Sequence, residues 1–266
     1  MGILNVTPDS YFDQGRHFDP AAAIARGIQI CNEGADILDI GGESTRPPAE
    51  YQGSDPVSEQ QEIDRVIPVI EALKKEISIP ISIDTMKANV AKEAVKAGAM
   101  MINDVSGFRD KEMRKMAAEV SLPICVMHMQ GTPGTMQENP YYESGVIAEI
   151  ISWMKERVDL LLHEGVKKEN IILDSGIGFG KTVEHNLEII RNLKSFQELD
   201  FPILYGLSRK SFISRIVGRP TAELLAPTVA LNTLLIAEGV DIIRVHDVKE
   251  HRMVIDTLFQ LKSNQQ

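Results

Sequence analysis

Asp84, Asn103 and Asp174 each fall at or near the end of a short apolar run, in Ile81-Ser82-Ile83-Asp84, Met101-Ile102-Asn103-Asp104 and Ile171-Ile172-Leu173-Asp174. Two carboxylates and an amide facing one cavity are costly to bury without partners. A flat heterocycle with adjacent N–H donors is one such partner, since a carboxylate can accept two parallel bonds from it. Charge-assisted bonds of this kind contribute roughly 1.5–3 kcal/mol each. A cationic group stands further along, in Ser208-Arg209-Lys210-Ser211 and Arg244-Val245-His246-Asp247. Arg244 and His246 occupy alternate positions, which point the same way on a strand, and Arg suits bidentate binding of an oxyanion. A third group is Asp174-Ser175-Gly176-Ile177-Gly178-Phe179-Gly180-Lys181-Thr182. It misses the Walker phosphate loop, because Ser175 stands where the first glycine belongs, and its G-x-G-x-G spacing misses the dinucleotide fingerprint. It reads instead as a tight loop whose backbone approaches a flat ligand beside Asp174. No nucleophile or metal-ligand cluster stands at motif spacing around His128, which reads as structural or as a pocket wall. Met100, Met101, Met127 and Met129 read as core filling, with Met127 placed to floor a ligand slot.

An eightfold repetition would bring these groups together. Apolar runs start at Ile3, Ile37, Ile81, Met101, Ile124, Ile171, Ile203 and Ile242, and each precedes a helix-like stretch. Apolar runs without alternation fit strands covered on both faces, as parallel sheets require. The expected fold class is α/β, a (β/α)8 TIM barrel forming a single domain over residues 1–266, with its chemistry where the strands finish. Loops after strands seven and eight commonly bind phosphate in that architecture, and the Arg244/His246 group falls there. Helices are expected over 20–34, 58–76, 87–97, 111–120, 145–164, 184–193, 210–217 with 223–238, and 249–261, with Asp19 capping the first and Asn264 to Gln266 fraying. Two connections, 41–57 and 130–144, are longer than ordinary βα loops and read as binding elements. The first strand begins at once, so an upstream segment or fused domain is expected.

Hydrophobic residues make up 43% of the 266 positions, ample for one core, and the formal net charge of -10 argues against nucleic acid as a partner. Cys31 and Cys125 read as free thiols of a reducing compartment. No signal-like opening or bilayer-length apolar run is present, so the expectation is a cytoplasmic protein without a membrane partner.

Along nearly its whole length the chain resembles the dihydropteroate synthases of the pterin-binding enzyme family. The resemblance is carried by Met1 to Ser10, Asp39-Ile40-Gly41-Gly42-Glu43-Ser44-Thr45-Arg46-Pro47, Ile83-Asp84-Thr85, Ile102 to Gly107, Met127-His128-Met129-Gln130-Gly131, Gly176 to Lys181, Gly206 to Ser211 and Arg244 to Asp247. It implies a transferase of folate biosynthesis and a sulfonamide target. The reaction joins (7,8-dihydropterin-6-yl)methyl diphosphate to p-aminobenzoate with loss of pyrophosphate, in a dissociative order. By position, Asp174, Asn103, Asp84 and Lys210 would hold the pterin, while Asn5, Arg244 and His246 would bind the diphosphate. Asn5 would also give an oxygen to Mg2+, the implied cofactor. Phe179, Lys210, Ser211, Thr45 and Pro47 would shape the p-aminobenzoate slot, and Asp13 would meet Arg46 when the first loops close. A homodimer is likewise implied. The chain departs from the family at Tyr11-Phe12-Asp13-Gln14-Gly15, which bears on sulfonamide affinity, and at Ser175, in place of the usual proline, which loosens the backbone.

Overall fold

The computed structural model describes residues 1–7, 12–13, 17–43 and 57–263. Eight parallel strands run through them: β1 (Gly2–Asn5), β2 (Leu38–Gly41), β3 (Ile81–Asp84), β4 (Met101–Asp104), β5 (Ile124–Met127), β6 (Ile171–Asp174), β7 (Leu204–Tyr205) and β8 (Ile242–Ile243). The first six form one ladder in chain order, and β7 pairs with β8. Single parallel bridges, Leu173 to Ile203 and Gly2 to Val245, join the two remaining seams. At the second seam Ile3 N–H donates to Val245 O and Val245 N–H to Met1 O, both at 3.0 Å. The sheet is therefore closed on itself, a TIM barrel.

Helices α1 (Pro20–Asn32), α2 (Glu59–Glu76), α3 (Ala88–Ala97), α4 (Lys111–Val120), α5 (Val146–His163), α6 (Val183–Arg191), α7 (Leu193–Gln197), α8 (Ser211–Val217), α9 (Leu225–Ala237) and α10 (Val248–Ser263) follow the strands. Local chemistry sets several of their starts. The Asp19 carboxylate accepts from the N–H groups of Ala21 and Ala22, and Ser58 with Gln61 makes a reciprocal capping box. The structure adds a short antiparallel pair, Phe12–Asp13 with His17–Phe18, that the sequence pattern does not announce. Asn264 to Gln266 lie outside the described residues.

Successive strand residues face opposite sides of the sheet. One set, including Leu4, Leu38, Ile40, Ile83, Ile102 and Leu173, packs with helix residues such as Ile30, Val66 and Val90. The other set makes a separate cluster inside the barrel, from Met1, Met101, Cys125, Ile172 and Leu204. Asn5, Asp39, Asp84, Asn103, Asp174 and Arg244 share the phase of this second set and stand further toward the C-terminal ends of the strands. Alternation thus fills the lower barrel with hydrocarbon and lines its upper mouth with polar groups. Met100 departs from its expected place in the core. It precedes β4 and is 57% exposed, whereas Met101 is buried inside the barrel. Cys31 and Cys125 are both unpaired.

Candidate active site

Strand register builds the polar mouth. Asn5 lies opposite Gly41, Gly41 opposite Asp84 and Asp84 opposite Asn103, while Met127 lies opposite Asp174. Across the barrel the Arg244 guanidinium donates through Nε to Asp39 Oδ2 at 2.6 Å and through Nη2 to Asp84 Oδ2 at 2.7 Å. Asn103 Nδ2 donates to the same Asp39 oxygen at 3.1 Å, and Asp39 Oδ1, buried, has no partner among the described residues. Two carboxylates therefore share one cation. Burial and the neighbouring Asp39 charge push the Asp84 carboxyl up to about 7, despite the opposing pull of Arg244.

Asp39 was not singled out from the sequence. It looks like the end of a strand in Ile37-Leu38-Asp39, yet β2 continues to Gly41. This places Asp39 one layer below the mouth, opposite Ile3 and Ser82, under Arg244. Alternation with the buried Leu38 and Ile40 is the signal that could have found it.

Asp174 ends β6 and is buried, and burial raises its pKa above the ordinary carboxylate range. Its Oδ1 accepts the Gly176 N–H at 2.7 Å, closing the turn at Ser175 that substitution of the usual proline was expected to loosen. The positive charges of Lys210, Lys181 and Arg244 all act on it, so Asp174 and Arg244 belong to one electrostatic site. Lys210, at the N-cap of α8, reaches over the glycine loop. Its Nζ donates to Ile177 O and stands 4.2 Å from the centre of the Phe179 ring. Ser211 is the first residue of α8 and is half-buried. Met127 is buried with Val105, Met129 and Met136, and Phe179 packs against this apolar group.

His246 Nδ1 lies 3.0 Å from Ser208 Oγ, while Arg244 turns to the two carboxylates. The two side chains therefore have different partners. Arg209 acts between their loops: at φ 56° it forks onto Asp247, Nε to Oδ2 at 2.8 Å and Nη2 to Oδ1 at 2.7 Å. That pair ties the loop after β7 to the loop after β8. His128 is buried edge-on to Trp153 with Lys181 Nζ 3.1 Å from its Nδ1, and burial pushes its pKa down to about 2. It is a neutral structural group. Thr45, Arg46 and Pro47 lie outside the described residues, as does the side chain of Asp13.

The chain as a whole is similar to known proteins. The model of the pterin binding enzyme family matches residues 1–246. The dihydropteroate synthase of Haemophilus influenzae is 44% identical over 248 residues, 93% of this chain and 88% of that protein. The crystal structure of Yersinia pestis dihydropteroate synthase with a sulfonamide drug complex superimposes with a TM-score of 0.91 at 39% identity, covering 99% of this chain and 94% of that one. The Xanthomonas albilineans enzyme in complex with 7,8-dihydropteroate gives a TM-score of 0.87 at 37% identity, covering 98% and 92%. This chain belongs to the pterin binding enzyme family and, within it, to the dihydropteroate synthases.

Proposed function

We propose that this chain condenses (7,8-dihydropterin-6-yl)methyl diphosphate with p-aminobenzoate, giving 7,8-dihydropteroate and pyrophosphate in folate biosynthesis. The observation that carries the reading is the adjacency of buried acids to one arginine. Asp174, Asn103 and Asp84 suit the N–H edge of a flat head, and Arg244 suits its anionic tail. Lys210 would donate to the carbonyl side of the pterin, and Met127 would floor it. The Arg244 guanidinium has five N–H donors, of which Nε–H and one on Nη2 meet carboxylates here. The others would meet diphosphate together with His246 and Asn5. Loss of the diphosphate leaves a methylene conjugated with the pterin ring, and an ionised Asp84 would stabilise the cation that develops there. The neutral aromatic amine would then attack from a slot shaped by Phe179, Lys210, Ser211, Thr45 and Pro47, with Asp13 and Arg46 meeting above it.

Asn5 is a suitable hard oxygen donor for Mg2+, but no group of three His, Cys, Asp or Glu able to hold a metal occurs among the described residues. The ion would therefore take most of its oxygens from diphosphate and water, a common arrangement for Mg2+ on phosphate substrates. When bound, it would neutralise charge on the leaving group.

No helix among the described residues is long and apolar enough to cross a membrane, and small polar substrates fit a cytoplasmic enzyme acting as one domain. Exposed Leu234, Met253 and Phe259 on the outer helices support a homodimer. The decisive test is pyrophosphate release with both substrates, with and without Mg2+. Release only when p-aminobenzoate is present supports the reading. Tight binding of the pterin diphosphate without release would instead indicate a silent pterin-binding paralogue, and methyl transfer from a methylated folate would indicate a pterin-binding methyltransferase.

A further inference from the structure

The long connection over 130–144 has no part in the proposed reaction, yet it lies directly against the glycine loop. Gly180, at φ +64°, approaches it so closely that an added Cβ would sit 2.7 Å from Gln130 O. Gly176, at φ +68°, lies as tightly against His128, two residues before Gln130, where an added Cβ would sit 1.9 Å from His128 O. The four carbonyls that follow Gly176 are each met by a side chain. Ile177 O accepts from Lys210 Nζ, Gly178 O from Gln137 Nε2 at 2.7 Å, Phe179 O from Lys181 Nζ at 2.9 Å and Gly180 O from the Tyr142 hydroxyl at 2.8 Å. Two of these donors, Gln137 and Tyr142, come from the long connection. The connection is itself braced. The Gln130 amide donates to Tyr141 O at 2.7 Å and accepts from Tyr141 N–H at 3.1 Å, and Arg109 donates to the carbonyls of Met129 and Gly131. Met136 anchors its middle in the apolar group that includes Met127.

We propose that Gln137 and Tyr142 are positioning residues for the second substrate. They grip the carbonyl oxygens of Gly178 and Gly180, the residues on either side of Phe179, and so hold its ring where, with Lys210 above it, it forms one wall of the aromatic-amine slot. The connection after β5 is thus a buttress that presets the slot's width before p-aminobenzoate arrives. This rests on the assignment of Phe179 and Lys210 to that slot.

Gln137→Glu, Gln137→Ala and Tyr142→Phe test it, with Phe179→Ala as a control on the slot. Gln137 is exposed and Tyr142→Phe removes only a hydroxyl, so at least the Gln137 variants should fold, which thermal melting checks. Each loss of a hydrogen bond should raise the KM for p-aminobenzoate about five- to tenfold, in keeping with the worth of one such bond. Gln137→Glu should do most harm, because a carboxylate would face the Gly178 carbonyl. The Kd for pterin diphosphate should stay within about twofold, since the pterin acids are not touched. The inference is overturned if Phe179→Ala raises this KM while both Gln137 variants leave it unchanged. It is equally overturned if pterin diphosphate binding weakens in the same proportion. A KM unmoved by Phe179→Ala would remove the slot assignment itself, and this inference with it.

Discussion

Asp84 and Arg244 show how one residue's charge state depends on its neighbours. With Asp39 they make a buried cluster of two acids and one base, which favours a proton on Asp84 over the ordinary carboxylate value of 3.8, pushing it up to about 7. A proton held more tightly by the folded chain stabilises it. That contribution is complete below about 3.8 and is lost as pH rises through about 7. Asp84→Asn, which cannot ionise, should therefore lose less melting temperature than the parent between pH 4 and pH 7.5. Parallel melting curves over that interval would refute the assignment. Arg244→Ala should be costly for the opposite reason, since it leaves Asp39 and Asp84 buried without their cation. Removing one partner of a buried ion pair typically destabilises by about 3–5 kcal/mol, and somewhat less is expected here because a fifth of the Arg244 side chain is open to solvent. Chemical denaturation measures that loss. The same variant should bind the pterin diphosphate far more weakly while leaving the bare pterin alcohol less affected. Equal losses for both ligands would contradict a role in holding the tail.

At the scale of elements, much was legible because strand and helix signals repeat eight times. The runs ending in Asp84, Asp104 and Asp174 stop where β3, β4 and β6 stop, and Asp19 and Ser58 cap the helices that follow them. Alternation could place Asp39 inside the barrel but not reveal its partner: its importance lies in a contact with Arg244, 205 positions away, created only when β8 closes against β1. The breadth of the mouth was likewise hidden, because the partners of Phe179 and Gly180 come from loops whose sequence has no period. The close approach of Gly176 to His128, the residue after β5, belongs to this class. A Gly176→Ala change would force both a left-handed backbone, at about 1–2 kcal/mol, and displacement of the His128 carbonyl. Because Gly176 N–H also holds Asp174, the variant should lose both stability and pterin affinity. A normal melting temperature with normal affinity would show that the turn is more pliable than this geometry allows.

Across the whole molecule, the barrel separates its tasks by end and by layer: apolar filling below, polar chemistry above and helices outside. One outer element does not fit a fully solvated role. The 13 residues of α9 carry no charge, unlike a helix with one face in water. Its buried Thr228, Asn232 and Leu235 account for one side, with Asn232 Nδ2 2.9 Å from His251 Nε2 of α10. On its other side Leu234 is half exposed, and on α10 Met253 and Phe259 are more so. Fully burying a side chain of this size stabilises by about 1.5–3 kcal/mol, so a second copy of the chain covering this surface would gain from each of them. Leu234→Glu would place a charge against that second copy without touching the barrel mouth. Sedimentation equilibrium should show the parent chain as a dimer and Leu234→Glu shifted toward monomer, its pyrophosphate release retained because the acids and Arg244 come from one chain. A parent that sediments as a monomer at tens of micromolar would remove the case for this interface. A variant that stays dimeric would move the contact elsewhere on the outer helices.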